Sequence, residues 1–285
     1  MEATTLESIS TISDEELDSI NFAIYFRYGL DFSGYEKSSL KRRIVRIIHR
    51  FDLENVVGLW KKLLYDKDFI LLFKDEISVG LTEMFRNADI WIQLRDLYLP
   101  KIASTKSKDE ILKIWHAGCS TGEEVHTMSI VLDDVGCLMK SVALATDLSD
   151  NFVNIARKAE YDIELLNRYE NNFKLYDPSK SIKTCFSIGE ELGILYPKYK
   201  NYATYKQHNL TSEPETNEKY DIIFCRNVMI YFNDNLKMNL MKLFYEKLND
   251  NGIFIIGFFD AMPSNYDRYF EYEDSGLKFF RKLNA

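Results

Sequence analysis

The sequence predicts an α/β protein, with a mainly parallel sheet covered by helices on both faces, a small antiparallel insert, and a helical domain in front. From residue 111 onward, short apolar runs alternate with helical patterns, which is typical of a parallel sheet. Before residue 80, apolar residues recur at the helical period and no run resembles a strand. We therefore predict an N-terminal all-α domain over 1–80 and a larger α/β domain over 81–285.

Composition and charge narrow the class of protein. With 285 residues, of which 46% are hydrophobic, the chain has enough apolar material for a sizeable core. Its net charge of −8 argues against general nucleic-acid binding. No signal-peptide pattern or membrane-length apolar stretch is present, so we expect no membrane insertion. The 4 cysteines and 4 histidines lack metal-ligand spacing, which indicates no metal site and a reducing, cytoplasmic location.

The N-terminal helices carry clear start and stop signals. Ser13 and Glu16 have the spacing of a capping box, and Gly29 can end the helix that they begin. From Ser39 onward a second helix shows apolar residues at the helical period: Leu40, Ile44, Ile47, Ile48 and Phe51. Further helices are predicted over about 55–65, 68–78 and 87–99.

The second helix is a local exception to the acidic charge of the chain. Between Tyr35 and Arg50 there are six basic residues against the single acid Glu36. Such a cluster would steer an acidic partner toward this helix, although a solvated charged face is the alternative interpretation. The basic residues are Lys37, Lys41, Arg42, Arg43, Arg46 and Arg50.

The α/β part follows a polar connection at 101–110. Strands are predicted over 111–118, 141–147, 220–227, 252–259 and 277–283. Helices are predicted from about Glu123, through Ile155 and Ala156, and over about 235–248. The stretch 161–208 breaks the alternation, and we interpret its short extended runs (NFKLYD, KTCFSI and YATYKQH) as a small antiparallel insert. The end of YATYKQH is also where a third strand of the sheet would end, so Asn209 and Leu210 could meet an adenine.

The turn after the first strand has the features of a ligand-binding loop. Gly118 and Gly122 bracket a tight turn before a helix N-terminus, where backbone can approach a ligand. Glu123 and Glu124 would repel a pyrophosphate and suit a cofactor with amine or hydroxyl groups. Asp147 ends the next strand, where an acid accepts hydrogen bonds from ribose hydroxyls; the alternative is that it caps the following helix.

Four segments together resemble the CheR family of chemotaxis receptor methyltransferases: LTEMFR at 81–86, AGCSTGEE at 117–124, ATD at 145–147 and FCRNVMIYF at 224–232. Their order and spacing, and the helices in front, agree over nearly the whole chain. The resemblance implies a Rossmann-like methyltransferase domain with a small β-subdomain at about 161–208. It also implies methyl transfer from S-adenosylmethionine to glutamate side chains of chemoreceptors, which leaves glutamate methyl esters and S-adenosylhomocysteine.

Matched positions imply the roles of individual residues. Arg86 and Tyr231 would be catalytic: Arg86 would hold the attacking carboxylate, and Tyr231 would offer a hydroxyl and a π face to the transferred methyl group. Glu123 would hold the amino group of the cofactor, and Asp147 its ribose. The cofactor-binding residues, by turn or by matched position, are Thr82, Arg86, Gly118, Glu123, Asp147, Asn209, Leu210, Arg226 and Asn227.

The resemblance also places the basic helix beside the mouth of the active site. We therefore expect a group of arginines to contact the acidic cytoplasmic helices of a chemoreceptor: Arg42, Arg43, Arg46 and Arg50. We expect a monomer. The chain departs from the family pattern at Gly80, where an asparagine is usual, and at 257–260, where GFFD replaces the usual GHSE. These changes affect one cofactor hydrogen bond and the wall of the substrate site.

Two alternatives remain open. The same reaction on another signalling protein would need the same cofactor site. A non-catalytic adapter that binds S-adenosyl ligands would also need it, although the presence of Arg86, Asp147, Arg226 and Tyr231 argues against an adapter. A Rossmann dehydrogenase is not favoured, because the G-x-G-x-x-G spacing is missing.

Overall fold

The computed structural model describes residues 11–107, 109–212, 218–274 and 276–283. The first ten residues of the predicted helical domain, and the last two of the predicted α/β domain, lie outside this part of the chain. Within the described residues, no helix combines the length and the apolar character that crossing a membrane requires.

The N-terminal helices pack around an apolar core of their own. The first, α1 (Asp14–Tyr28), begins with the predicted capping box: Ser13 Oγ accepts a hydrogen bond from the Glu16 N–H at 3.1 Å, and the Glu16 carboxylate accepts one from the Ser13 N–H at 2.8 Å. Gly29 ends α1 in the left-handed conformation, as predicted. The helices that follow are α2 (Lys37–Arg50), α3 (Val56–Tyr65) and α4 (Phe69–Ile77).

A continuous helical segment joins these helices to the α/β part. It consists of α5 (Ala88–Gln93), a π-helical turn (Leu94–Tyr98) and α6 (Leu99–Thr105). Trp91 stacks on Phe224 with ring centroids 5.8 Å apart, so the segment packs directly on the sheet. The helix predicted over 87–99 is therefore present and continues to residue 105.

The described strands and the later helices alternate as the sequence predicts. In chain order the strands are β1 (Leu112–Ala117), β2 (Ser141–Asp147), β3 (Glu160–Asp162), β4 (Phe186–Ile188), β5 (Leu192–Leu195), β6 (Ala203–Gln207), β7 (Tyr220–Cys225), β8 (Leu248–Ile256), β9 (Phe270–Asp274) and β10 (Phe279–Lys282). The helices are α7 (Glu123–Asp134), α8 (Asp150–Lys158), α9 (Ile163–Tyr176), α10 (Pro197–Lys200) and α11 (Asp234–Lys247).

The main sheet has the order β6-β2-β1-β7-β8-β10-β9. Its first five strands are parallel, and β10 and β9 add to the edge in antiparallel fashion. This confirms the predicted α/β class. Two strand predictions need correction: β8 covers 248–256 rather than 252–259, and the sequence reading missed β9. The turn expected at Asp250–Gly252 lies inside β8, where Asn251 has a φ of 63°.

The insert is smaller than predicted. A separate antiparallel sheet of order β3-β5-β4 exists, and α9 packs with it. However, YATYKQH contains β6, which pairs in parallel with β2 in the main sheet, and NFKLYD belongs to α9. The buried side chains of α9 recur at the spacing of a helix, about 3.6 residues: Leu166, Tyr169, Phe173 and Tyr176. The sequence therefore contained a helical pattern, although the Asn and Lys residues between these positions made it hard to recognise.

The N-terminal helices contact the edge of the sheet where the parallel strands end. The backbone of Tyr35 forms an antiparallel bridge with Phe232, and the Glu36 N–H donates to the Tyr231 carbonyl at 2.9 Å. Lys74 on α4 forms an ion pair with Asp150 at the start of α8. These contacts place α2 and α4 over the carboxyl ends of the strands, where open α/β sheets bind their ligands.

Candidate active site

A cleft of about 920 Å³, including open solvent at its mouth, lies between the N-terminal helices and the carboxyl edge of the sheet. The cleft brings together most of the residues that the sequence singled out: Arg43, Thr82, Arg86, Gly118, Asp147, Asn209, Leu210, Arg226, Asn227 and Tyr231. Glu123 and the predicted substrate contacts Arg42, Arg46 and Arg50 are not part of its lining.

The β1–α7 turn forms the floor of the cleft. Gly118 has a φ of 90°, and a Cβ at this position would stand 2.5 Å from a methyl carbon of Val228, so only glycine fits. Ser120, two residues further along the turn, donates its backbone N–H to Asp147 Oδ2 at 2.8 Å. The turn is thus held against the end of β2.

Asp147 is a buried carboxylate at the predicted place. It is 9% exposed and accepts a second backbone hydrogen bond from Ser149 at 3.1 Å. Burial raises the pKa of Asp147, and these N–H groups partly offset the rise. The cap of α8 is Ser149, whose Oγ accepts a hydrogen bond from the Phe152 N–H at 3.0 Å. The structure therefore excludes the alternative that Asp147 caps this helix.

The two adjacent glutamates of α7 point in different directions. Both carboxylate oxygens of Glu123 accept hydrogen bonds from hydroxyls, one from Thr121 at 2.7 Å and one from Tyr169 at 3.1 Å. Glu124 lines the cleft instead. Neighbouring helix residues lie about 100° apart around the axis, so the two carboxylates have different surroundings. Glu123 lies behind the cleft wall, and Glu124 is the glutamate of the pair that lines the cleft.

Glu124 is held by two partners. It lies 2.9 Å from His116 Nδ1 and 3.1 Å from Arg226 Nη1. Burial opposes ionisation of Glu124, but the His116 hydrogen bond and the Arg226 charge outweigh it and hold the pKa below its ordinary value. The cleft thus contains a carboxylate that stays ionised, at one of the two acids that the sequence analysis found suited to an amine or hydroxyl group.

Arg226 connects several walls of the cleft. Its Nη2 donates to the Arg86 carbonyl and to Asn87 Oδ1, each at 3.0 Å. Its guanidinium also lies 5.5 Å from the centre of the Trp91 ring. Burial lowers the pKa of Arg226, and the neighbouring Glu124 opposes that shift. Arg226 therefore fixes the backbone at Arg86, whose half-buried side chain lines the cleft.

Two buried polar atoms of cleft residues have no hydrogen-bond partner among the described residues: Ser120 Oγ and Arg226 Nε. Buried polar atoms are normally paired, so such atoms in a cleft wall point to a polar ligand. S-adenosylmethionine, the cofactor expected from the sequence, fits this set. Its amine and ribose hydroxyls match the acids Glu124 and Asp147, and its carboxylate matches an arginine.

The loop that bears Tyr231 is anchored by Asp260. This buried carboxylate accepts backbone hydrogen bonds from Asn227 at 2.5 Å, Ile230 at 3.0 Å and Gly257 at 2.8 Å. The GFFD segment therefore keeps an acid that holds the loop bearing Tyr231. Its two phenylalanines are 59% and 71% exposed and contact each other edge to face beside that loop.

Arg43 does not lie on the open basic surface that the sequence analysis assumed. It is 7% exposed, its guanidinium lies 4.0 Å from the centre of the Tyr231 ring, and it donates to the Ile77 carbonyl. One π face of Tyr231 is thus occupied by a cation. The α2 stripe Leu40, Ile44 and Ile47 includes position 43 at helical spacing, so the inward direction of Arg43 could have been recognised.

The exposed charges of α2 are also partly paired. Arg50 forms an ion pair with Glu76, and Lys41 lies 2.5 Å from Asp14. Arg42 and Arg46 are exposed. The basic surface is therefore narrower than the count of six basic residues indicates.

At the rim of the cleft, the structure adds to the sequence analysis at two positions, Gly80 and Tyr35. A Cβ at Gly80 would lie 3.0 Å from the Phe152 ring, so the space beside this departure from the family pattern is already filled. Tyr35, which the sequence reading missed, lines the cleft because its turn packs on Phe232. No local pattern marks Tyr35, since its place depends on contact between distant segments.

Comparisons with known proteins give matches over most of the chain. The family model described as CheR methyltransferase, SAM binding domain, matches residues 80–277, and that described as CheR methyltransferase, all-alpha domain, matches residues 15–78. The putative methyltransferase Cher3 of Pseudomonas putida is 30% identical over 271 residues, which cover 95% of this chain and 97% of that protein. Chemotaxis protein methyltransferases of Borreliella burgdorferi and Listeria monocytogenes are 27% and 29% identical, over 89% and 86% of this chain and 90% of each relative.

Proposed function

Since this chain belongs to the CheR methyltransferase family, we propose that it transfers methyl groups from S-adenosylmethionine to glutamate side chains of chemoreceptor proteins. The matched domain confirms the cofactor that the sequence predicted. One observation carries the proposal: a single cleft combines acids suited to the cofactor, Glu124 and Asp147, with the cation Arg86 and the phenol of Tyr231. This combination suits a reaction between a bound cation and a carboxylate.

The order of strands supports an orientation for the cofactor. Asn209 and Leu210 follow β6, Asp147 ends β2, and Gly118 follows β1. We propose that the adenine lies beside Asn209 and Leu210, the ribose beside Asp147, and the methionine end beside Glu124. Thr82, Arg86 and Asn227 would complete the wall around the methionine end.

Chemically, this cleft needs no strong base. The cofactor supplies a methyl group that is activated by a sulfonium, and a substrate glutamate is already ionised near pH 7. Arg86 would orient the attacking carboxylate, and Tyr231 would line the path of the methyl group. Most of the acceleration then comes from alignment and from exclusion of water.

For the protein substrate, we propose docking on the exposed arginines of α2. Arg42 and Arg46 are open to solvent, and Arg43 continues from the same helix into the cleft. An acidic receptor helix would be attracted to this surface and would present a glutamate to Arg86. We further propose that the protein acts as a cytoplasmic monomer, with functional units 1–80 and 81–285.

A methyl-transfer assay tests the proposal. Receptor cytoplasmic fragments are incubated with the protein and S-adenosylmethionine that carries a labelled methyl group. We expect label that alkali releases as methanol, and we expect none on fragments whose methylatable glutamates are replaced by alanine. Binding of S-adenosylhomocysteine without transfer to any receptor would reject the receptor substrate. It would leave another acceptor protein or an adapter role, and no binding at all would reject the enzyme.

A further inference from the structure

We propose that Arg43 is a positioning residue that acts through Tyr231: its guanidinium holds the phenol ring in the orientation that methyl transfer requires. The inference rests on the proposed function and adds to it, because it makes the N-terminal helices a part of the catalytic centre. The guanidinium carbon lies 4.0 Å from the centre of the Tyr231 ring, within the range of a cation–π contact.

The backbone of Tyr231 is already fixed from two sides. The Glu36 N–H donates to the Tyr231 carbonyl at 2.9 Å, and Asp260 accepts the N–H of Ile230 at 3.0 Å. The neighbouring Phe232 packs edge to face on Tyr35 at 5.0 Å. With the backbone held, the remaining freedom is rotation of the Tyr231 side chain. A guanidinium that lies over one face of the ring, at 4.0 Å from its centre, restricts that rotation.

The other contacts of Arg43 are internal as well. It is 7% exposed and donates to the carbonyl of Ile77 at the end of α4. A residue that recruits substrate by charge needs an exposed guanidinium, as Arg42 and Arg46 have on the same helix. The guanidinium of Arg43 instead contacts the Tyr231 ring and a carbonyl of the N-terminal helices. Its predicted contact with the substrate is therefore replaced here by a contact with a catalytic side chain.

Steady-state kinetics separate the two roles. Arg43→Ala should lower kcat about tenfold, while KM for a receptor fragment and the affinity for S-adenosylhomocysteine stay within about twofold. In a Tyr231→Leu background, the same Arg43→Ala change should lower kcat less than about twofold, because no ring remains to be positioned. A raised KM at constant kcat, or an equal kcat loss in both backgrounds, would overturn the inference.

A second arginine–tyrosine stack provides the matched control. Arg95 lies 4.8 Å from the centre of the Tyr176 ring, and neither residue lines the cleft. Arg95→Ala should therefore leave kcat unchanged. If Arg43→Ala does not fold, as judged by its melting curve, Arg43→Lys keeps the charge without the planar guanidinium that contacts the ring. It should show the same kind of kcat loss, again without a change in KM.

A spectroscopic measurement keeps the inference testable if no receptor is methylated. In protein labelled with 3-fluorotyrosine, the ¹⁹F signal of Tyr231 is assigned from the resonance that Tyr231→Phe removes. Arg43→Ala should shift and broaden this signal, because the ring loses a stacked cation and gains freedom of rotation. Arg95→Ala should leave it unchanged. A Tyr231 signal that Arg43→Ala does not move would overturn the positioning role, whatever the substrate of the enzyme.

Discussion

Replacing Asp147 tests the cofactor site most directly. In Asp147→Asn the side chain keeps its size but loses its charge and one acceptor oxygen. The carboxylate already accepts the backbone N–H groups of Ser120 and Ser149, so the ribose hydroxyls use its remaining lone pairs. We expect the substitution to weaken the binding of S-adenosylmethionine and S-adenosylhomocysteine.

The magnitude follows from the kind of hydrogen bond that is lost. A hydrogen bond to a charged group contributes about 1.5–3 kcal/mol. Because a neutral amide oxygen still accepts one bond, we expect a loss of about 2 kcal/mol, or roughly a thirtyfold rise in Kd. The substitution also leaves one backbone N–H of Ser120 or Ser149 without its acceptor. The unliganded protein should therefore lose about 1 kcal/mol of stability and remain folded.

Isothermal calorimetry with S-adenosylhomocysteine measures the change in affinity. Asp162→Asn, at an exposed aspartate outside the cleft, serves as the matched control and should bind like the wild type. An affinity of Asp147→Asn within about threefold of the wild type would refute the role of Asp147 at the ribose, since one lost charged hydrogen bond already exceeds that factor.

The pH dependence of binding gives a second measurement on the same residue. Only the ionised carboxylate accepts both ribose hydroxyls, and burial raises the pKa of Asp147. Affinity should therefore fall as the pH decreases, and the fall should begin above the range of an ordinary aspartate, whose pKa is about 3.9. Asp147→Asn should show no such fall in that interval. The same profile in both proteins would mean that another group titrates.

The other predictions concern turnover and substrate docking. Arg86→Ala and Tyr231→Phe should each lower kcat more than they lower cofactor affinity, and Tyr231→Phe should cost less because its ring remains; full turnover in Arg86→Ala would exclude its catalytic role. Arg46→Glu should raise KM for a receptor fragment more than Arg50→Glu does, because Arg50 is already paired with Glu76. The lower KM of the wild type relative to Arg46→Glu should disappear between about 0.05 and 0.5 M salt, because the Debye length shrinks from about 14 to 4 Å. An equal salt dependence in the wild type and Arg46→Glu would show that this arginine is only a solvated charge.

The parallel strands that end at the cleft were predictable because each carries a simple signal. β1 and β7 are almost completely buried, so they read as continuous apolar runs bounded by polar turns. β9 reads FEYED and has little apolar character, since it lies at the sheet edge with one open side. The sequence left two placements for β6, one in the insert and one as a third strand of the main sheet, because a short strand carries no mark of its partner. Its pairing with β2 depends on the tertiary fold.

Within the site, the sequence predicts which residue types are present more reliably than the direction in which each side chain points. The turn motif placed two acids at the start of α7, but the side chain that faces the cleft depends on how that helix is rotated. Thr121 and Tyr169 donate hydrogen bonds to Glu123, and Glu124 is the one that lines the cleft. Arg43 differs because its spacing from Leu40 and Ile47 already places it on the buried stripe of α2. Arg43 was assigned to the surface because its side chain is charged, although its spacing along α2 indicates a buried position.

The pairing of the arginines in the cleft affects how strongly the proposed reaction's carboxylate substrate would be bound. Methyl transfer from a sulfonium to a carboxylate removes one positive and one negative charge, so the transition state carries less charge than the reactants. A site that bound the carboxylate too strongly would stabilise the reactants and slow the reaction. The buried Arg226 and Arg43 avoid this because their guanidinium groups are committed to Glu124 and to the Tyr231 ring. Arg86 is half-buried, and one of its guanidinium nitrogens donates to the Leu81 carbonyl at 3.3 Å. Its remaining N–H groups would orient the carboxylate in the proposed reaction, which favours alignment of the substrate over tight binding of its charge.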